Sequence, residues 1–507
     1  MKLFSILLFT GLLVTSCNRQ PSVTSSIEPF RPLYHFTPDS GWMNDPNGLV
    51  YYDGEYHLFY QYYPDSTVWG PMHWGHAVSN DLVHWDHLPV ALYPDSLGYI
   101  FSGSAVMDLQ NTSGLGDSLN PAMVAIYAYH NQKLADEGRI DFQYQGLAYS
   151  TDKGRIWTKY SKNPVVPNPG IRDFRDPKVI WYAPGNVWIM TLAAADRVQF
   201  YSSPDLLNWK FESEFGQTVG AHGGVWECPD LFDLPVTEKE GEKKWVLLVS
   251  INPGAPYGGS GTQYFIGDFN GHRFTWEESK VRWIDYGMDN YAGVTWSNTG
   301  DRRIFLGWMS NWAYAQKVPT HPWRSAMTIP RELSLMQNQD GYVLKSTPVK
   351  ELAGIESLLV PDKMDNDSGV FVFSFGHEQL KASHISVKAG IKDSEQIALK
   401  LTNKAGQVLI AGFDAGTGEL WLDRRKTGIS DFDTVFASKV HRVTTGKGFN
   451  NITLDLFIDR CSAELFFNDG MYVITDLIFP EESFNSVKVS SSALNPAELK
   501  VFSIGNQ

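Results

Sequence analysis

Ser79-Asn80-Asp81-Leu82-Val83-His84-Trp85 returns further along the chain as Ser203-Pro204-Asp205-Leu206-Leu207-Asn208-Trp209. A looser copy is Ser150-Thr151-Asp152-Lys153-Gly154-Arg155-Ile156-Trp157, and Gly267-Asp268-Phe269-Asn270-Gly271-His272-Arg273-Phe274 keeps the Asp and a closing aromatic. The copies lie roughly 50 to 70 residues apart, slightly beyond the usual repeat of a propeller blade. An Asp or Asn turn between two strands, followed by an aromatic packed between neighbouring sheets, gives the recurrence a physical reason. Around these turns run short apolar stretches at 56–60, 187–190, 245–249 and 303–308, punctuated by Gly, Pro, Asn and Asp, while helical periodicity is scarce. The reading is all-β, with residues 30–340 forming a five-bladed β-propeller. A large β-sandwich is the alternative on spacing alone. Beyond Pro330 polar stretches lead into well-alternating runs at 370–375, 397–401, 452–458, 463–467 and 472–477, with an Asn468-Asp469-Gly470 turn. Residues 341–507 are therefore read as a second all-β domain, a β-sandwich.

At 507 residues the chain is too long for one ordinary domain, and 43% hydrophobic content allows a large core. A net charge of −14 argues against nucleic acid, whose binding rests on clustered Lys and Arg. Residues 3–14 are almost wholly apolar after Lys2, too short a run to span a bilayer comfortably, and read as a signal peptide core. They end in Val14-Thr15-Ser16-Cys17, which resembles a bacterial lipobox. Residues 1–17 are thus expected to be a lipoprotein signal peptide with Cys17 lipidated, and 18–29 a flexible tether. That makes the protein an exported lipoprotein whose only link to the membrane is its N-terminal anchor. An ordinary signal peptide with an incidental Cys is the alternative. Cys228 and Cys461 are the remaining cysteines, which is no disulfide framework.

No phosphate loop, nucleophile elbow or dinucleotide fingerprint is present, and no cofactor is called for. His73, His76, His84 and His87 cluster in sequence, but a strand sends residues i and i+3 to opposite faces, and the Trp-rich setting suits packing better than a metal. Three acids stand out: Asp45 in Trp42-Met43-Asn44-Asp45-Pro46-Asn47-Gly48, Asp176 in Phe174-Arg175-Asp176-Pro177-Lys178, and Glu227 in Val225-Trp226-Glu227-Cys228-Pro229-Asp230. Each sits beside aromatic or apolar residues with a Pro one or two places later, which holds the preceding backbone extended. Singly, each has a plain explanation: a tight turn, a surface ion pair, a satisfied polar group beside a packed Trp. Together, at the starts of innermost strands in one propeller, they would converge on the central channel. Cleavage of a glycosidic bond needs such a set, with one acid to protonate the leaving oxygen and one carboxylate to attack or to activate water.

Here the sequence resembles glycoside hydrolase family 32, the invertase, inulinase and levanase group. The three acidic motifs match in order, as do Trp69-Gly70-Pro71-Met72-His73-Trp74-Gly75-His76, Phe101-Ser102-Gly103-Ser104 and the segment 458–470. The resemblance implies a propeller followed by a sandwich. It implies Asp45 as nucleophile, Glu227 as general acid/base and Asp176 as transition-state stabiliser. It also implies that Asn44, Gln61, Trp69, Phe101, Ser102 and Arg175 shape a pocket for a terminal fructose, with Asp289 and Trp308 aligning more loosely. The implied activity is release of terminal β-fructofuranosyl units from levan, inulin, fructo-oligosaccharides or sucrose by a retaining route, exo-acting. An endo-levanase, a transfructosylase or an inverting furanosidase are the enzyme alternatives, and a non-catalytic fructan-binding lipoprotein the distant one. Two local expectations go with these roles. Glu227, beside Trp226, should be partly desolvated and near other acids, and hydrogen-bond donors such as backbone amides should surround Asp45. The Asp45 and Glu227 carboxyls are expected about 5–5.5 Å apart, the retaining spacing.

Overall fold

The structure is a computed structural model that describes residues 28–505 except 277, 279, 339–340, 368–369 and 491–497. The expected signal peptide with its Cys17, and most of the expected tether, lie outside the described residues.

Five antiparallel sheets succeed one another in the N-terminal region, and each contributes its first strand to the centre. These innermost strands are Gly41–Tyr52, Tyr99–Asp108, Phe174–Tyr182, Val225–Pro235 and Tyr291–Thr295. Each touches the next, and the last touches the first, so the ring is closed. This is a β-propeller. Late in the chain Trp323–Arg324 returns to lie parallel against Gly41 and Trp42, tying the end of the ring to its beginning.

The repeated motif is the turn between the outer strands of the first four sheets. Asp81 Oδ1 accepts from the amides of Val83 and His84, and Ser79 Oγ accepts from those of Asp81 and Leu82. Asp205 receives the amides of Leu207 and Asn208 in the same way, and Leu82 and Leu206 both take positive φ. Asn270 does this work in the fourth copy, accepting from His272 and Arg273. A short side-chain acceptor satisfies the turn's amides, which is why an Asp or Asn recurs there. The closing aromatics then fill the space between sheets; Trp209 packs on the core around Val179 and Leu192.

The second region pairs a six-stranded sheet with a seven-stranded one. Their inner faces share one core that includes Ile385, Leu399, Leu409, Phe413, Leu454 and Leu465. It is a β-sandwich, and the strands expected near 370, 397, 452, 463 and 472 all form. The boundary moves, however. Gly341–Pro348, expected in the sandwich, pairs along its whole length with Arg331–Asn338 in the last propeller sheet. Strand pairing outweighs the polar composition that suggested a break near 340.

Propeller and sandwich meet across a buried charge network. Arg331, with no exposed surface, bonds Asp285 on its own side and Glu464 and Thr475 of the sandwich. His35 bridges Asp459 and Glu464 at 2.8 Å each. Burial alone would lower its pKa, but the two carboxylates overturn that and hold it near about 9.

Candidate active site

Every innermost strand carries a register shift near its start: after Met43, Ile100, Glu227 and Tyr291, and beside Arg175. Such bulges bend the strand and re-aim side chains at barrel and propeller mouths. Asp176 and Cys228 sit there at φ of 62° and 45°, conformations that side chains other than Gly seldom adopt. Pro177 and Pro229 follow them, so ladder pairing is already interrupted at these points.

The result is a pocket of about 330 Å³ at one mouth of the channel, holding Asp45, Asp176 and Glu227 together. Asn44, Gln61, Trp69, Phe101, Ser102 and Arg175 line it as well. Ser102 Oγ donates to Asp45 Oδ2 at 2.6 Å, and Asn44 Nδ2 donates to Oδ1 at 3.0 Å. Asn44 is itself oriented by the indole N–H of Trp42, 2.7 Å from its carbonyl oxygen. The buried Gln61 is held by the carbonyl of Ile100. Trp69 and Phe101 meet edge-to-face, and Phe101 stacks on His130 at 4.4 Å.

Arg175 organises the acidic side. Its Nη2 reaches Glu227 Oε1 at 2.7 Å and its Nη1 reaches Asp173 at 2.7 Å, with Gln143 behind at 3.3 Å. Burial would weaken its charge, but the carboxylates of Glu227, Asp176 and Asp173 raise its pKa well above the ordinary range. The Tyr291 hydroxyl donates to the other oxygen of Glu227. Asp176 accepts from the Cys228 amide at 3.1 Å. Burial pushes Asp176 up to about 7, with Arg175 pulling down and Glu227 and Asp45 pushing up. Asp45 is also raised, by burial first, against the lowering effect of Ser102 and Asn44.

Both local expectations hold in part: Glu227 is largely buried and shares the pocket with Asp45 and Asp176, and three donors reach Asp45. Trp226 does not shelter Glu227. Adjacent strand residues face opposite ways, so the fully buried indole packs inside the blade while Glu227 enters the pocket beside Arg175 and Tyr291. The donors to Asp45 are side chains and not backbone amides, namely Asn44, Ser102 and the Cys228 thiol.

Two expected pocket residues stand elsewhere. Asp289 is fully buried at the sandwich interface, bonded to Arg424 at 2.6 Å, the Tyr314 hydroxyl at 2.7 Å and the Leu477 amide at 2.8 Å. Trp308 is equally buried, packed among Trp42, Tyr291 and Trp312 behind the pocket wall. In both cases the segment was right and the position wrong. Tyr291, two residues after Asp289, reaches Glu227, and Trp312, four after Trp308, lines the pocket. His130, Phe142, Gln143 and Asp173, from loops or strand ends, and Gln316, from a short 3-10 helix, complete the lining with no motif to mark them. The clustered histidines go to separate partners: His76 to His57 and the Phe59 ring, His73 to the Pro71 carbonyl, His84 to Asp81, and His87 to the Phe36 ring.

Below the carboxylates the channel is filled. The Lys178 ammonium bonds the Thr295 carbonyl and pairs with Asp230 at 3.3 Å, and Ser104 Oγ donates to the Pro177 carbonyl. A closed propeller pocket with three converging carboxylates is the equipment of a glycoside-cleaving enzyme. The chain belongs to glycosyl hydrolase family 32: residues 35–348 match the model of the family's N-terminal domain, and residues 359–503 match that of its C-terminal domain. It is 46% identical over 518 residues to a levanase of Bacillus subtilis, covering 98% of this chain and 75% of that protein. It is 38% identical over 507 residues to an extracellular exo-inulinase of Aspergillus ficuum, covering 94% of each. The structure of a β-fructofuranosidase from Schwanniomyces occidentalis, complexed with fructosyl-erythritol, superposes with a TM-score of 0.84 at 32% identity, over 96% of this chain and all of that one.

Proposed function

We propose that the protein is a retaining β-fructosidase that removes terminal β-D-fructofuranosyl units from fructans, fructo-oligosaccharides or sucrose. The observation that carries this is the convergence of Asp45, Asp176 and Glu227 in one pocket closed beneath by Lys178 and Asp230. Asp45 attacks the fructosyl anomeric carbon C2 while Glu227 gives a proton to the leaving oxygen. A covalent fructosyl-enzyme results, and Glu227 then takes a proton from the water that releases fructose. Ser102 and Asn44 aim the Asp45 carboxylate, Arg175 and Tyr291 fix the two oxygens of Glu227, and Asp176 binds ring hydroxyls as positive charge develops. Closure on one side suits exo-action, since a chain end can enter but a chain cannot pass through. We propose further that Cys17 is lipidated and anchors the exported enzyme to the membrane. The apolar run and lipobox-like residues support that, as does likeness to an extracellular relative.

A time-resolved product profile on levan, inulin and sucrose tests the reading. Fructose alone from the outset, released first as the β-anomer, is expected. Longer oligosaccharides appearing first would make the enzyme endo-acting, fructosyl transfer to sugar would make it a transfructosylase, and α-fructose first would exclude the retaining route.

A further inference from the structure

The innermost strands run from the catalytic mouth to the opposite mouth of the channel, and a second pocket of about 330 Å³ lies there. Five residues of strand separate Asp176 from Trp181, a distance of about 17 Å at 3.3 Å per residue. The lining combines three tryptophans, Trp181, Trp188 and Trp245, with Arg303, Asp233 and Asn298. Trp181 and Trp188 meet at 4.9 Å and 66°, and both Trp181 and Trp245 are half-buried. Arg303 is the unusual member. Its guanidinium lies 5.1 Å from the Phe232 ring, its buried Nε has no hydrogen-bond partner among the described residues, and Asp233 is engaged instead by Lys243. Neither catalysis nor contact with the sandwich explains this arrangement.

The chemistry points to a neutral, hydroxyl-rich ligand. Indole faces are platforms for the apolar faces of sugar rings, and a guanidinium fork beside a carboxylate and an amide suits vicinal hydroxyls. Asp230 and Asp233 lie close enough to offset part of the charge of Arg303, although each also pairs with a lysine, Lys178 and Lys243 respectively. We propose that this distal mouth is a second, non-catalytic saccharide site that holds a segment of β-fructan while another chain end is cleaved at the catalytic mouth. The choice of fructan as ligand rests on the β-fructosidase reading; the site itself does not. Lys178 and Asp230 separate the two mouths, so the gain comes from tethering, which raises the local concentration of chain ends.

The test uses the full-length protein as Asp45→Asn, which cannot turn over, titrated calorimetrically with an inulin-type pentasaccharide with and without saturating fructose. Two sites are expected, one of them insensitive to fructose, and Arg303→Met in the same background should remove that one. In the otherwise unaltered enzyme, Arg303→Met should raise KM on polymeric fructan about 3- to 10-fold and leave kcat/KM on sucrose unchanged. Trp181→Ala provides a second variant with the same expected split, so that a folding defect, which would lower sucrose turnover too, is recognised. One site only, displaced by fructose, or polymer kinetics unchanged in both variants, overturns the proposal. Hydrolysis by the unmodified enzyme, measured in parallel, separates that failure from a failure of the catalytic reading.

Discussion

Replacing Asp176 by Asn should make the protein more stable and much less active, and the gain should depend on pH. Asp176 is 5% exposed and its carboxyl is raised to about 7. A folded pKa above the unfolded one means the native state holds its proton more tightly than the unfolded chain does. Stability is therefore undiminished at low pH and falls as pH rises from about 4 to 7. The gap from the ordinary value near 3.8 to about 7 corresponds to about 4 kcal/mol at pH 8. Asn carries no charge, tolerates φ of 62°, and its carbonyl can still accept from the Cys228 amide. Arg175 keeps Glu227 and Asp173 as partners. For a propeller of this size the gain is about 5 °C in apparent Tm. Thermal scans of both proteins at pH 4 and pH 8 provide the assay, with kcat/KM expected to fall on the order of 10²- to 10³-fold. A lower Tm for Asp176→Asn at pH 8, or the same gain at both pH values, would refute the reasoning.

Ser102→Ala removes the 2.6 Å donor to Asp45 and so raises that carboxyl further. The acid limb of the pH–rate profile should move to higher pH, with kcat/KM down about 10-fold. Arg424→Met leaves Asp289 buried without its cation, which should cost about 3–5 kcal/mol of stability. Its KM for sucrose should not change; a raised KM would return Asp289 to the pocket. His35 has a folded pKa of about 9, above its ordinary 6.5, so its contribution is complete below pH 6.5 and lost as pH rises through 9. Denaturant titrations across that window should show the loss in the native protein and little of it in His35→Gln.

The parts of the site that were legible in the sequence are those whose backbone is written into it. Asp45, Asp176 and Glu227 carry a Pro one or two residues later, and the strand breaks those prolines enforce are where the structure places its bulges. Asp289 and Trp308 misled because burial in a well-packed site and burial in a domain interface select the same residue types. Only the register of the short strand Tyr291–Thr295 decides that Tyr291 faces Glu227. Gln143, Asp173 and His130 could not be read at all, since their role is to brace Arg175 and Phe101 from neighbouring elements.

By itself, then, the sequence determined the local conformations: alternating strands, Asp and Asn turns that satisfy their own amides, and Pro-marked bulges at the channel mouth. Those depend on residues within a few positions of one another. Tertiary structure decided where propeller ends and sandwich begins, because Gly341–Pro348 takes its place from a partner strand and not from its composition. It also decided which of two neighbouring side chains enters the pocket. Convergence across five sheets is a long-range property, and no local pattern encodes the distance between Arg175 and Glu227, 52 residues apart in the chain and 2.7 Å apart in the fold.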